Sequence, residues 1–254
     1  RVSKAHVLAR VRAGVLEDQF VHDVHGNMSH IQHADGTFSD YAFDDENRLR
    51  RVVTPATESL LTYDAADRLV REQTPSSTVE IVNGGTFPLM YTDSGAPGTL
   101  TSTIPNPREG CPIAIAEPAR LVIPAWCLGS SSVNFTDTGA AIDAIHREPY
   151  GNASGAAAPP TNPFAFKGYR QLGDPGLHAT YTRLYSAQHR AFLTPDVLRG
   201  YEHETVTMNR HRAFSANPLR YVDALGLQDE EVIDLTNLDP AEYGWETTVY
   251  GTRD

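Results

Sequence analysis

Short runs of alternating apolar and polar residues, separated by tight polar turns, dominate the first third of the chain. Residues 37–43 (TFSDYAF) and 48–54 (RLRRVVT) mix apolar and polar side chains and alternate well enough for half-buried strands. The intervening DDEN is rich in residues that favour tight turns. No long segment combines a helical apolar period with capping residues. The pattern therefore predicts an all-β chain built from strand–turn–strand units.

One such unit recurs about every twenty residues. The corners HDVHGNM, FDDENRL and YDAADRL occupy 22–28, 43–49 and 63–69, at spacings of 21 and 20 residues. In each corner an aspartate is followed three positions later by Gly, Asn or Asp, which tolerate a positive φ, while the aspartate can accept hydrogen bonds from nearby backbone. Because one hairpin cannot bury its apolar face, we expect the units to stack. The alternative is a generic meander with coincidental aspartate turns.

Four blocks of the sequence resemble, in order, the tyrosine-aspartate (YD, or Rhs) repeats of bacterial polymorphic toxins and the core-associated unit that follows them. The closing block, MNRHRAFSANPLRYVDALGL, carries an Asn-Pro pair and then Asp-x-x-Gly-Leu. The finer resemblance is to the C-component of Tc-type insecticidal toxin complexes. It implies a large hollow shell made of a spiralling antiparallel strip of hairpin repeats and plugged by the closing unit. The four blocks are the repeats themselves, within 20–72, and the segments 128–152, 166–197 and 208–227.

Composition and this resemblance together divide the chain into four parts. The expected boundaries are a repeat region at 1–152, a linker at 153–163, a core-associated closing unit at 164–227 and an acidic tail at 228–254. Within the repeat region, the Pro/Gly-rich segment 76–127 is expected to form an irregular insertion. The chain opens on Arg1, and we expect it to be a piece of a longer protein or a processed one.

The resemblance also implies an aspartyl autoprotease that frees the C-terminal segment. Asp223 matches the aspartate of the closing motif, Asp196 matches an earlier aspartate of the core, and Leu227 matches the residue before the cut, so the expected scissile bond joins Leu227 to Gln228. Two adjacent carboxylates share a proton, so that one activates water while the other donates to the carbonyl. From the residues alone, each aspartate is a turn residue.

Three departures from the family pattern fall at this site, and the first is that Asp196 and Asp223 lie a few residues further apart in the sequence than expected of Tc-type members. Ala224 stands where the closing motif has proline. Ala191 stands where the family has the arginine of a Gly-Arg-Phe element, with Arg190 displaced by one position. The sequence therefore predicts a site without its assisting cation, and leaves open whether self-cleavage is retained.

Charge and composition exclude several other functions. The net charge is -11, and eight of the acidic residues lie in 228–254; no basic stripe is present, so nucleic acid is not an expected partner. No apolar run is long enough for a membrane helix. No nucleotide-binding motif occurs, and no cofactor is expected. Two cysteines, Cys111 and Cys127, are equally consistent with a disulfide and with free thiols.

A group of four histidines, His22, His25, His30 and His33, raises the question of a zinc site. Their odd spacings put neighbours on opposite faces of a strand, so we predict that they do not converge and that no metal is bound.

Two functions therefore remain. The first is the shell or plug portion of a secreted Rhs-type toxin, an extracellular protein whose partners are its own C-terminal segment or other toxin-complex subunits. The second is a non-enzymatic surface, adhesion or scaffold protein built from the same repeats.

Overall fold

The computed structural model describes most of the chain. The described residues are 6–12, 15–85, 87–95, 99–105, 112–127, 130–154, 162–164, 166–174, 176–197, 208–223, 225–227 and 230–231. Within them the chain is almost entirely β, with a 3-10 turn at Phe214–Ala216. No helix in this part of the chain is long and apolar enough to span a bilayer.

A single antiparallel strip contains fourteen strands, each hydrogen-bonded to the next in chain order. This confirms the predicted all-β stack of hairpins. Because every connection joins neighbouring strands, each repeat is hydrogen-bonded to the repeats on either side of it. The strands are β1 His6–Arg12, β2 Val15–His22, β3 Met28–His33, β4 Phe38–Phe43, β5 Leu49–Val53, β6 Glu58–Tyr63, β7 Leu69–Gln73, β8 Thr78–Gly84, β9 Phe87–Asp93, β10 Thr99–Pro105, β11 Pro112–Glu117, β12 Arg120–Cys127, β13 Ser130–Thr136 and β14 Ala141–Ala144.

The predicted aspartate corners lie at one end of the hairpins. Asp44 Oδ1 accepts a hydrogen bond of 2.9 Å from the Arg48 N–H, and the Asp44 N–H donates to the Arg48 carbonyl at 3.0 Å. Asn47, third after the aspartate, has a φ of 61°, and the strand register shifts by one residue beside the corner. The corner is thus a tight turn closed by a bulge. The same arrangement holds at Asp23 with Gly26 and at Asp64 with Asp67.

Successive corners are joined by side chains. Asn27 Nδ2 donates to Asn47 Oδ1 at 2.9 Å, and Arg48 Nη1 donates to Asp67 Oδ1 at 2.8 Å. At the opposite end of the hairpins, the Thr54 and Thr74 N–H groups close four-residue turns. These two turn types explain the period of about twenty residues.

The prediction of an irregular insertion at 76–127 was wrong for the described residues. Strands β8 to β12 lie in this range and continue the strip without a break in order. Segments such as TVEIVNG and TLTSTIP alternate well enough to pair, and Pro105 and Pro112 fall at strand ends, where a missing N–H costs little.

A closing unit covers one face of the strip. Its own strands are β17 to β21, while β15 and β16 precede it and β22 follows it. The unit packs its leucines Leu172, Leu177, Leu184 and Leu193 against Ile31, Tyr41, Val52 and Leu61 of the strip. Each fully buried aliphatic side chain contributes roughly 1.5–3 kcal/mol, so this contact is the main core. The strands are β15 His146–Arg147, β16 Ala153–Ser154, β17 Arg170–Gln171, β18 Leu177–Ala179, β19 Leu184–Ser186, β20 Ala191–Phe192, β21 Tyr221–Val222 and β22 Glu230–Glu231.

A second core lies inside the closing unit and is aromatic. Phe166, Tyr169, Tyr185, Phe192 and Phe214 are buried together, with the Tyr185 and Phe214 ring centroids 5.1 Å apart. This cluster fixes the hairpins that carry the candidate site.

Several sequence predictions fall outside the described residues. They concern most of the linker, the acidic tail beyond Glu231, Cys111 and the side chain of Cys127.

Candidate functional site

Arg183 lies immediately before β19, at the end of a turn that its own backbone helps to close. The Arg183 N–H donates to Thr180 Oγ1 at 3.0 Å, and the Thr180 N–H donates to the Arg183 carbonyl at 3.0 Å. The guanidinium carbon lies 3.7 Å from the centroid of the Phe192 ring, a cation–π contact. The side chain is 6% exposed. A buried arginine of this kind requires carboxylate partners.

The two aspartates singled out in the sequence are those partners. Arg183 Nη2 lies 3.0 Å from Asp196 Oδ2 and 2.8 Å from Asp223 Oδ2. Because both oxygens contact the same nitrogen atom, the two carboxylates lie within two hydrogen-bond lengths of each other. The Asp223 side chain is 1% exposed and that of Asp196 is 19% exposed, so only Asp196 reaches solvent.

The backbone of each aspartate is held as well. Arg210 donates through its guanidinium to the Asp196 carbonyl, at 2.7 Å from Nε, and the Asp196 N–H donates to the Arg210 carbonyl at 2.8 Å. Tyr169 Oη donates to the Asp223 carbonyl at 2.6 Å. The aromatic core therefore anchors one aspartate and a paired segment anchors the other.

The expected cleavage residue is tied directly to this cluster. The Leu227 N–H donates to Asp223 Oδ1 at 2.8 Å, and the Gly226 N–H donates to the Asp223 carbonyl at 3.2 Å. Gly226 has a φ of 76°, which only glycine adopts without strain. Thr182 Oγ1 contacts the carbonyls of Leu225 and Gly226 at 2.8 and 2.9 Å. The Asp-x-x-Gly-Leu motif is thus a closed turn around the Asp223 carboxylate. Gln228 and Ala224 lie outside the described residues.

The expectation of a missing cation was wrong. Arg183 supplies a guanidinium between the two aspartates, whereas Arg190 lies over the Tyr150 ring, 5.0 Å from its centroid. Sequence reasoning missed Arg183 because it looked for the cation only at the family's position. The available signal was chemical, since two adjacent carboxylates, one of them buried, need a nearby cation.

The four N-terminal histidines do not form one cluster. His30 Nδ1 lies 2.6 Å from Asp40 Oδ1, His22 packs edge-on against His211, and His25 is exposed. His33 instead contacts Asp18, with His189 of the closing unit beside them.

Comparisons with known proteins agree with this fold. The Rhs repeat family model matches residues 43–79, and a search of curated protein sequences found no significant match. Two solved structures are similar to the chain: the crystal structure of TcdB2-TccC3-Cdc42, at 15% identity and a TM-score of 0.58, and the Photorhabdus luminescens Tc holotoxin pore with a mutation in TccC3, at 14% identity and a TM-score of 0.53. The matches cover 83% and 85% of this chain but 13% of each of those chains. Residues 43–79 therefore match the Rhs repeat, and the chain has the fold of one portion of these Tc toxin structures.

Proposed function

We propose that the chain is a shell portion of a secreted Rhs-type toxin, and that its closing unit cuts the polypeptide after Leu227. The observation that carries the proposal is the convergence of Asp196 and Asp223 on one nitrogen of Arg183, with the Leu227 N–H bound to Asp223. The cut would free the acidic segment that follows, or whatever longer cargo the full protein carries there. Partners would be that segment and other toxin-complex subunits.

The chemistry follows from the different exposure of the two carboxylates. Asp196, the more exposed one, takes a proton from water as the water oxygen attacks the Leu227 carbonyl carbon. Asp223 holds the turn in place, and the carbonyl oxygen becomes the oxyanion of a tetrahedral intermediate. When the C–N bond breaks, the oxyanion re-forms the C=O bond, Asp196 gives the proton that it took from water to the Gln228 nitrogen, and the new carboxyl group of Leu227 loses its proton to solvent. Because the substrate is part of the same chain, a high effective concentration supports a single turnover.

Mass spectrometry of the intact purified chain tests this function. We expect a species ending at Leu227 to accumulate with time, and Asp196→Asn and Asp223→Asn to abolish it. Asp174→Asn is the matched control, since Asp174 caps a turn of the same unit by accepting from the Gly176 N–H at 2.7 Å. Cleavage that persists in Asp196→Asn, with the fold verified by circular dichroism, would contradict the assignment.

One observation favours the second function, a non-enzymatic adhesion or scaffold protein. Both Asp223 oxygens already bind, one to Leu227 and one to Arg183, as expected for a purely structural latch. A wild-type chain that stays intact to Asp254 after prolonged incubation would select this alternative.

A further inference from the structure

A second cluster of ionisable side chains lies away from the aspartate pair, where the beginning of the strip meets the closing unit. Asp18 comes from β2, His33 from the end of β3, and His189 from the turn between β19 and β20. His33 Nδ1 lies 3.3 Å from Asp18 Oδ1, and His189 Nε2 lies 4.0 Å from Asp18 Oδ2. One nitrogen of each ring and one carboxylate oxygen lie within 4.8 Å of one another.

Both histidine rings are held with one nitrogen turned toward Asp18. Ser39 Oγ lies 2.9 Å from His33 Nε2, and Ser186 Oγ lies 2.9 Å from His189 Nδ1. Each serine oxygen can accept the ring N–H, which leaves the opposite nitrogen with its lone pair directed at the cluster. Proteins commonly orient metal-binding histidines in this way, through a hydrogen bond to the far ring nitrogen.

The surroundings favour a cation. The side chains of Asp18, His33 and His189 are 6%, 9% and 3% exposed. Asp18 and His33 nevertheless line a cleft of about 550 Å³, which also contains Asp35 and Asp174, and no lysine or arginine lines it among the described residues. The cleft gives access for a water molecule as an additional ligand.

We propose that Asp18, His33 and His189 bind a divalent transition metal ion, with zinc as the ion that this donor set fits best. Two imidazoles, one carboxylate and a water form a common zinc coordination set. Tetrahedral zinc places its donor atoms roughly 3.3 Å apart, a spacing that His33 and Asp18 already have. The three donor atoms already lie within 4.8 Å of one another, so the His189 nitrogen reaches this spacing by moving at most about 1.5 Å. Since His189 belongs to the closing unit, the ion would join that unit to the strip.

Titration of zinc sulfate into the full chain, previously dialysed against a chelator, tests the site. By calorimetry we expect one ion per chain, and by thermal unfolding a midpoint raised by about 5 °C at saturating zinc. His189→Gln and His33→Gln should each weaken binding at least about tenfold, and Ser186→Ala by a smaller factor.

His30→Gln is the matched control, because His30 lies on the same strand as His33 but contacts Asp40 at 2.6 Å. It should bind zinc as the wild-type chain does. Thermal unfolding in chelator shows whether each variant still folds. If a histidine variant does not fold, the milder Ser186→Ala variant still tests the site. Absence of binding by the wild-type chain, or equal affinity in His189→Gln, would overturn the proposal.

Discussion

Arg170 Nη1 donates a hydrogen bond of 2.9 Å to Glu72 Oε2, joining the strip to the closing unit across 98 residues of sequence. Both side chains are almost fully buried. The second Glu72 oxygen accepts from the Gly173 N–H at 2.7 Å and contacts Ser59 Oγ at 3.3 Å. A buried carboxylate with this many partners specifies where the closing unit docks, because any other position would leave its charge uncompensated.

Replacement of Glu72 should therefore be costly. Glu72→Gln leaves the buried Arg170 guanidinium without its carboxylate, and we expect the free energy of unfolding to fall by about 3–5 kcal/mol. Urea denaturation measures this loss. Glu80→Gln is the control, since Glu80 pairs with Arg71 at 2.7 Å on the half-exposed face of the strip, where such pairs contribute roughly 0–1 kcal/mol. Equal losses in the two variants would contradict a docking role for Glu72.

The features that the sequence predicted correctly depend on local interactions. Asp44 and Arg48 are four residues apart, and the turn that they close requires only the chemistry of its own residues. The convergence of Asp196 and Asp223 was proposed from the family resemblance alone, and Arg183 was missed. Arg183 lies 40 residues before Asp223, and no local pattern identifies it. The Asp18–His189 contact is equally hidden, because it forms only when the closing unit docks.

The turn before the expected cut should tolerate no side chain at Gly226. In Gly226→Ala the new Cβ would contact Thr180 Oγ1 and lie 2.9 Å from Thr182 Oγ1, at a φ of 76°. We expect a destabilisation of about 1–2 kcal/mol from the backbone and a further 1–3 kcal/mol or so from overpacking. Gly139→Ala is matched in φ, at 84°, but meets no atom within 4 Å, so it isolates the backbone cost. Chemical denaturation measures the free energy of unfolding of both variants. Similar losses in the two variants would show that Thr180 and Thr182 move to accommodate the new Cβ.

Acidification should destabilise the protein through His178. This side chain is fully buried among Phe166 and Tyr185, and neither ring nitrogen has a hydrogen-bond partner in the described part of the chain. Burial, with a smaller effect from the Arg147 charge, lowers the pKa of His178 from 6.5 to about 3. Between these two values the unfolded chain binds a proton that the folded chain does not, so stability is present above pH 6.5 and is lost progressively as the pH falls toward 3.

His178→Phe tests this pH dependence, because phenylalanine suits an aromatic pocket and does not titrate. From about pH 8 to about pH 5 the wild-type chain should lose roughly 2 kcal/mol more than the variant does. Urea denaturation at a series of pH values gives both curves. If the free energy of unfolding falls equally with pH in the wild-type chain and in His178→Phe, the loss at acidic pH does not come from His178.

The geometry of Arg183, as well as its charge, should be necessary for self-cleavage. A lysine at this position keeps the positive charge but cannot reproduce a planar guanidinium, which contacts two carboxylates with its carbon 3.7 Å from the Phe192 ring centroid. In Arg183→Lys we expect the species ending at Leu227 to form about 100-fold more slowly, since a displacement of about 1 Å in a reacting group has an effect of that size. Arg190→Lys is the matched control, because Arg190 is more than half exposed and lies over Tyr150, away from the aspartates. Time-resolved mass spectrometry of both variants, each verified as folded, gives the two rates. A wild-type rate in Arg183→Lys would mean that the aspartates react without the arginine, and its role would then be limited to neutralising the buried charge of Asp223.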